Sequence, residues 1–213
     1  MRTLVLALIF SIPASICAPC AAADTAIFAG GCFWCVEADL DKVPGVTATV
    51  SGYTGGTTEN PTYKTYEDGG HREAVRIDFD PATVSYRTLV DIFLRTVDVT
   101  DANGQFCDRG HAYSTAIYAL DDEQGTVARA AIAAAEKALG RTIVTPVERA
   151  GRFWPAEDYH QNYYQDGSWI LTRFGYVSRA SAYKGYREAC GRDERVKAVW
   201  GAEAYRGIPP NGH

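Results

Sequence analysis

The chain has 213 residues, 46% of them hydrophobic, and a formal net charge of −5. That is enough apolar material for one sizeable core. Acids and bases are mixed along it, so no basic stripe marks a nucleic-acid surface and no long acidic run marks a disordered tail.

Arg2 precedes the apolar run Leu4 to Ile12, and small residues end in Ala21-Ala22-Ala23. This is the pattern of an export signal cleaved between Ala23 and Asp24, with an apolar run too short to span a bilayer. Neither Cys17 nor Cys20 follows the small residue that a lipid-anchored cysteine requires. The reading is a periplasmic or secreted protein with no membrane anchor, folding as one domain over residues 24–213.

Thr25 to Ala29 is a short apolar strand ending at Gly30-Gly31. Trp34 to Asp41 reads as a helix, with Val36 and Leu40 four apart, and Pro44-Gly45 ends it. Val46 to Val50 alternates as a strand, and Gly52 to Tyr66, rich in Gly, Thr, Asn and Pro, reads as a loop. Ala74 to Phe79 alternates apolar and polar, a strand with one buried face. Ser85 opens a helix to about Arg95, and Asp98 to Gly110 is a polar loop. Ser114 to Leu120 is a strand. Asp121 caps a helix from Glu123 to Leu139 that Gly140 ends, and Thr142 to Glu148 is a further strand. Beyond it the chain reads as short helical turns and a polar tail. Alternating strands and helices with loop-rich connections point to an α+β fold. The expectation is a two-layer α/β sandwich, a mixed sheet with packed helices in a ferredoxin-like core, and long loops around the active site.

Four cysteines follow residue 23: Cys32, Cys35, Cys107 and Cys190. Cys32 lies in Gly30-Gly31-Cys32-Phe33-Trp34-Cys35, after a strand and at a helix N-terminus. The dipole there favours an anion, so the expected Cys32 is a thiolate with a lowered pKa, a nucleophile beside an aromatic wall of Phe33 and Trp34. A half zinc site, a thioredoxin-type redox pair and a structural disulfide are the competing readings. No second C-x-x-C pair occurs and the four histidines are scattered, so neither metal nor cofactor is expected.

Gly31-Cys32-Phe33-Trp34 resembles the signature of the peptide methionine sulfoxide reductase A family. Further resemblances follow in order: Gly52 to Gly56, Asn60 to Tyr63, Gly70 to Val75 (G-H-x-E), Asp108 to Tyr113 (D-x-G-x-x-Y) and Phe153 to Gln161 (aromatic-AED-x-H-Q). The resemblance spans about residues 26–165. It implies reduction of the S epimer of methionine sulfoxide, free or in proteins. It implies Cys32 as nucleophile, Glu73 as the acid, Tyr63 and Tyr113 as phenols binding the sulfoxide oxygen, Asp108 as a polar group of the same pocket, and Phe33 and Trp34 as the seat of the substrate methyl. Attack on sulfur pushes charge onto oxygen, which needs a donor, and a carboxyl beside an apolar wall stays protonated more readily. His160 either supports the site from behind or simply packs.

A sulfenic acid on Cys32 condenses with a second thiol. Three thiols could serve: the resemblance implies Cys190 as the resolving cysteine, with Cys35 second, and Cys107, which precedes Asp108 and so should lie near the pocket, otherwise reads as a buried loop thiol. The chain departs from the commoner pattern in a short Tyr63 to His71 loop without a cysteine, and in a poorly matching stretch from Asp166 to His213. Export would require a thioredoxin-like reductant supplied from the membrane, because the glutathione pool is absent there. No methionine follows Met1, which suits a protein working among oxidants. The expected partners are the oxidised methionine and this reductant, with no nucleic acid, and the chain is expected to be a monomer.

Overall fold

The computed structural model describes residues 23–209. The expected export signal, all but its last residue Ala23, lies outside the described residues. Among the described residues ten strands form: β1 (Asp24–Ala29), β2 (Val46–Thr54), β3 (Arg72–Phe79), β4 (Gly104–Gln105), β5 (Asp108–Arg109), β6 (Ala116–Ala119), β7 (Val147–Arg149), β8 (Trp154–Pro155), β9 (Trp169–Thr172) and β10 (Gly175–Ser178). The α-helices are α1 (Phe33–Leu40), α2 (Tyr86–Leu94), α3 (Asp122–Leu139), α4 (Arg179–Ala189) and α5 (Arg192–Trp200).

The central sheet runs β7-β6-β1-β3-β2-β8. Its pairs are antiparallel except the parallel pair β6–β7. The inner order β6-β1-β3-β2, with α1 and α2 as crossovers, is the ferredoxin-like arrangement expected. Alternation sorts the faces. Phe28, Val75, Ile77, Phe79 and Ile117 pack with Val36 and Leu40 of α1 and Leu89, Val90 and Phe93 of α2. Ile27, Ala29, Ala74, Ala116 and Tyr118 form a smaller cluster on the other face.

Local signals behave as read where they are strong. Asp121 accepts the Gln124 amide at the start of α3 and Gly140, at φ 63°, ends it. Ser85 accepts the Thr88 amide at the start of α2. Three expectations shift. The strand from Val46 continues to Thr54, placing Tyr53 opposite Glu73. Gly52 lets the edge strand β8 close in, since a Cβ there would meet Trp154 O at 2.4 Å. The strand expected over Thr142 to Glu148 shrinks to Val147–Arg149, because only that part reaches β6. The polar tail folds into the hairpin β9–β10 and the helices α4 and α5. Those helices carry little apolar face; they are held by buried Arg187, Val196, Arg192 and Trp200.

Gly31 turns the chain from β1 into α1 at φ +80°, and a Cβ there would lie 2.6 Å from Gln105 Cβ. Gly31→Ala therefore combines left-handed backbone strain of about 1–2 kcal/mol with a side-chain clash. Calorimetry should show a thermal midpoint lower by roughly 5 °C or more.

Candidate active site

Cys32 caps α1, and the chain delivers it there because Gly31 alone tolerates the turn. The α1 amide that follows, Phe33 N–H, donates to Glu73 Oε2 at 2.8 Å. Glu73 comes from β3, buried with 2% exposure. Its other oxygen lies 3.1 Å from Tyr66 Oη, which is 3.0 Å from Tyr113 Oη. Burial, opposed by those two hydrogen bonds, raises the Glu73 pKa to about 8. At neutral pH it is an acid with its proton still on.

A cavity of about 330 Å³ opens over this carboxyl. Among its lining residues are all the site residues expected from the sequence: Cys32, Phe33, Trp34, Tyr63, Glu73, Asp108, Tyr113, Cys35 and Cys190. Phe33 is buried, and Trp34 stacks on Tyr163 at 3.8 Å between ring centres. Asp108 is half-buried, and burial raises its pKa despite Arg192 and Arg173. The Tyr63 and Tyr113 phenols are pushed upward, first by burial and then by Glu73; both remain donors.

His160 is buried, and its Nδ1 accepts the Trp34 indole N–H at 3.2 Å. Burial lowers its pKa to about 4, so it stays a neutral acceptor that fixes the Trp34 ring. Its ring also sits 5.1 Å from Phe33 and 4.5 Å from Tyr63. His71, in the G-H-x-E segment, lies away from the cavity: it accepts the Gly56 amide and contacts Thr58, closing the loop over residues 55–71.

Two expectations about the cysteines are corrected. Cys107 is not a buried loop thiol. It is exposed at the tip of the β4–β5 hairpin and bonded to Cys190, with Cα atoms 5.0 Å apart. Cys32 does not have a lowered pKa; it is raised well above the usual thiol range. The hydrogen bond with Cys35 is the first cause, followed by burial and then by negative charge on Cys35, Glu73 and Asp108 where these are ionised. The α1 amide that could have held a Cys32 thiolate is taken by Glu73. Cys35 instead is lowered to about 7, by the Cys32 hydrogen bond and by Arg192 and Arg187, against burial.

Tyr66, Arg187 and Arg192 are site residues that the sequence reading missed. Tyr66 follows Tyr63 by three residues in a helical turn, its amide bonded to Thr62 O, which brings both phenols to one side. That i, i+3 spacing was the available signal. The two arginines flank Cys190 in the sequence and line the cavity. Arg187 pairs with Asp39 at 2.9 Å and Asp193 at 2.7 Å.

The peptide methionine sulfoxide reductase family model matches residues 24–197. The chain belongs to this family. Among curated relatives, peptide methionine sulfoxide reductase MsrA 2 of Rhizobium meliloti is 55% identical over 183 residues, 86% of this chain and 86% of the relative. The MsrA of Listeria welshimeri is 43% identical over 182 residues, 83% of this chain and 96% of the relative. Among solved structures, methionine sulfoxide reductase A of Corynebacterium diphtheriae superposes with a TM-score of 0.62 at 31% identity, covering 66% of this chain and 73% of that one. Reduced Mxr1 from Saccharomyces cerevisiae gives 0.65 at 25% identity, covering 73% and 92%.

Two outcomes follow for this reductase fold. His160→Phe removes the acceptor that orients Trp34, worth about 0.5–1.5 kcal/mol; steady-state kinetics should show KM for methionine sulfoxide up by roughly 2- to 10-fold, with kcat changed less. Glu73 titrates at about 8 in the fold against 4.5 ordinarily, so the folded state binds the extra proton between those values. Stability then falls as pH rises from about 4.5 to 8, and Glu73→Gln should raise the thermal midpoint more at pH 8 than at pH 4.5.

Proposed function

We propose that Cys32 attacks the sulfur of methionine-S-sulfoxide while neutral Glu73 protonates its oxygen. The chain is a peptide-methionine (S)-S-oxide reductase. The observation that carries the mechanism is the buried Glu73, tethered to the Phe33 amide next to Cys32 and facing the same cavity. Held neutral, Glu73 does two things. It offers a proton where charge develops, and it removes a carboxylate charge that would oppose a thiolate on Cys32. Tyr63 and Tyr113 add phenol donors, Asp108 completes the polar side, and Phe33 and Trp34 receive the apolar methyl. In the net step the sulfoxide S–O bond breaks and a Cys32 S–O bond forms. The substrate sulfur gains the two electrons that Cys32 loses.

The two resolving candidates act in turn. Cys35, hydrogen-bonded to Cys32, condenses with the sulfenic acid and releases water. Reduced Cys190, which faces the same cavity, then attacks that disulfide, and Cys107 closes onto Cys190. The inner thiols are restored and the oxidation leaves as the Cys107–Cys190 disulfide, the state described above. A thioredoxin-like protein would reduce it, and repair of oxidised proteins and free methionine-S-sulfoxide would be the biological output. We further propose export, with Ala23–Asp24 as the cleavage site, and a monomer without a membrane anchor. The export pattern in the first 23 residues supports this reading.

A second reading, a general thiol–disulfide oxidoreductase using Cys32 and Cys35 as a pair, draws on their shared hydrogen bond and the lowered Cys35. Single-turnover assays with dithiothreitol-reduced, desalted enzyme separate the two. In the reductase, Cys35→Ser still forms methionine stoichiometrically from the S epimer, the R epimer is untouched, and Cys32→Ser forms none. Glu73→Gln should slow the step by roughly 10²–10³-fold, as for loss of an oxyanion donor. If Cys35→Ser abolishes methionine formation, the general oxidoreductase reading wins.

A further inference from the structure

The Cys107–Cys190 disulfide faces two spaces. Phe106, Cys107 and Cys190 line the substrate cavity, and the same three residues line a second cleft of about 570 Å³. That outer cleft is completed by Asp98, Thr100, Asp101 and Arg195 and contains neither Cys32 nor Glu73. The disulfide is thus part of a wall between the place where substrate reacts and a separate opening to solvent.

We infer that the outer cleft is the docking site of the protein dithiol that recharges the enzyme, and that Cys107 is the sulfur it attacks. This rests on the thiol cycle proposed above. The two sulfurs differ in access: Cys107 is exposed at the hairpin tip, whereas Cys190 is half-buried at the end of α4. The β4–β5 turn around Phe106, at φ 56°, carries Cys107 outward. The cleft's charges are already matched, Arg195 with Asp98 at 2.6 Å and Arg109 with Asp101. The Asp108 carboxylate, 3.7 Å from the Cys107 sulfur, lines the substrate cavity and not this cleft.

Attack on Cys107 forms a reductant–Cys107 disulfide and expels Cys190 as a thiolate. The reductant's second thiol then attacks its own linked sulfur, leaving as a disulfide and releasing Cys107 as a thiol. Two electrons pass from the dithiol to the enzyme, and the dithiol's protons go to the two released sulfurs. Cys190 is released into the cavity that Cys32 and Cys35 also line. Released there, it faces Cys32 and Cys35 for the next cycle. Attack in the opposite sense would have to reach the half-buried Cys190 rather than the exposed Cys107.

The test uses full-length enzyme in its Cys107–Cys190 disulfide state and a thioredoxin whose second active-site cysteine is serine, which arrests the exchange as a mixed disulfide. Peptide mass analysis should place the link at Cys107. A link at Cys190, Cys32 or Cys35, or no adduct with a thioredoxin that supports turnover in its intact form, overturns the inference. In Cys32→Ser enzyme, saturating methionine-S-sulfoxide should leave the adduct rate within about twofold, because substrate and reductant occupy different spaces; a slowing of tenfold or more overturns it. Methionine released by fully reduced enzyme with no reductant present reports on the chemistry alone. Its loss overturns the proposed function, whereas release combined with an adduct away from Cys107 overturns this inference only.

Discussion

The hydrogen bond from the Phe33 amide to buried Glu73 is the constraint on which the site depends. It joins the start of α1 to β3, two elements 40 residues apart, and sets nucleophile beside acid. It also spends a helix-terminal N–H on a carboxyl rather than on the neighbouring sulfur. Burial costs a charge more than two hydrogen bonds return, so Glu73 keeps its proton. One interaction therefore makes the acid and withholds stabilisation from a resting thiolate on Cys32. The nucleophile is activated by what happens to the acid and the substrate, not by the helix end.

Across the cysteine pair the field has a direction. The hydrogen bond between the two thiols, then burial, raises Cys32, with smaller contributions from Glu73 and Asp108 when ionised; the same hydrogen bond lowers Cys35, helped by Arg192 and Arg187. Those guanidiniums reach the site because α4 and α5 fold back over α1, where Arg187 and Arg192 share Asp39. Buried charges of this kind are costly unless paired and hydrogen-bonded. Arg192 meets that demand through carbonyls of Gly30 and Thr96 as well. The C-terminal helices thus tie electrostatics to architecture: the segment that carries Cys190 also carries the cations beside the cysteines.

Much of the fold was legible. β1, α1, β3, α2 and α3 follow from period, capping residues and breakers, because each buries a stripe that its own sequence displays. α4 and α5 were not, since Arg187, Arg192 and Trp200 are buried by partners on other elements. The ends of β2 and β7 were misjudged for the same reason: a strand extends as far as its neighbour offers hydrogen bonds. At the site, Cys32, Glu73 and Tyr113 stood in recognisable motifs, whereas Tyr66 was marked only by its i, i+3 spacing from Tyr63, and its bond to Glu73 comes from β3 folding beside that turn.

By itself the sequence determined the family, the ferredoxin-like order of elements and the residue types the chemistry uses, because motif spacing and hydrophobic period are local properties of the chain. Only the tertiary structure decided which cysteines pair, that Cys32 and Cys35 sit between two carboxyls and two arginines, and that Cys107 faces solvent rather than the core. Those outcomes depend on groups 83 residues apart for the disulfide and on charges brought in from α4 and α5. Bond formation and local field are set by distance in space, which separation along the chain does not encode.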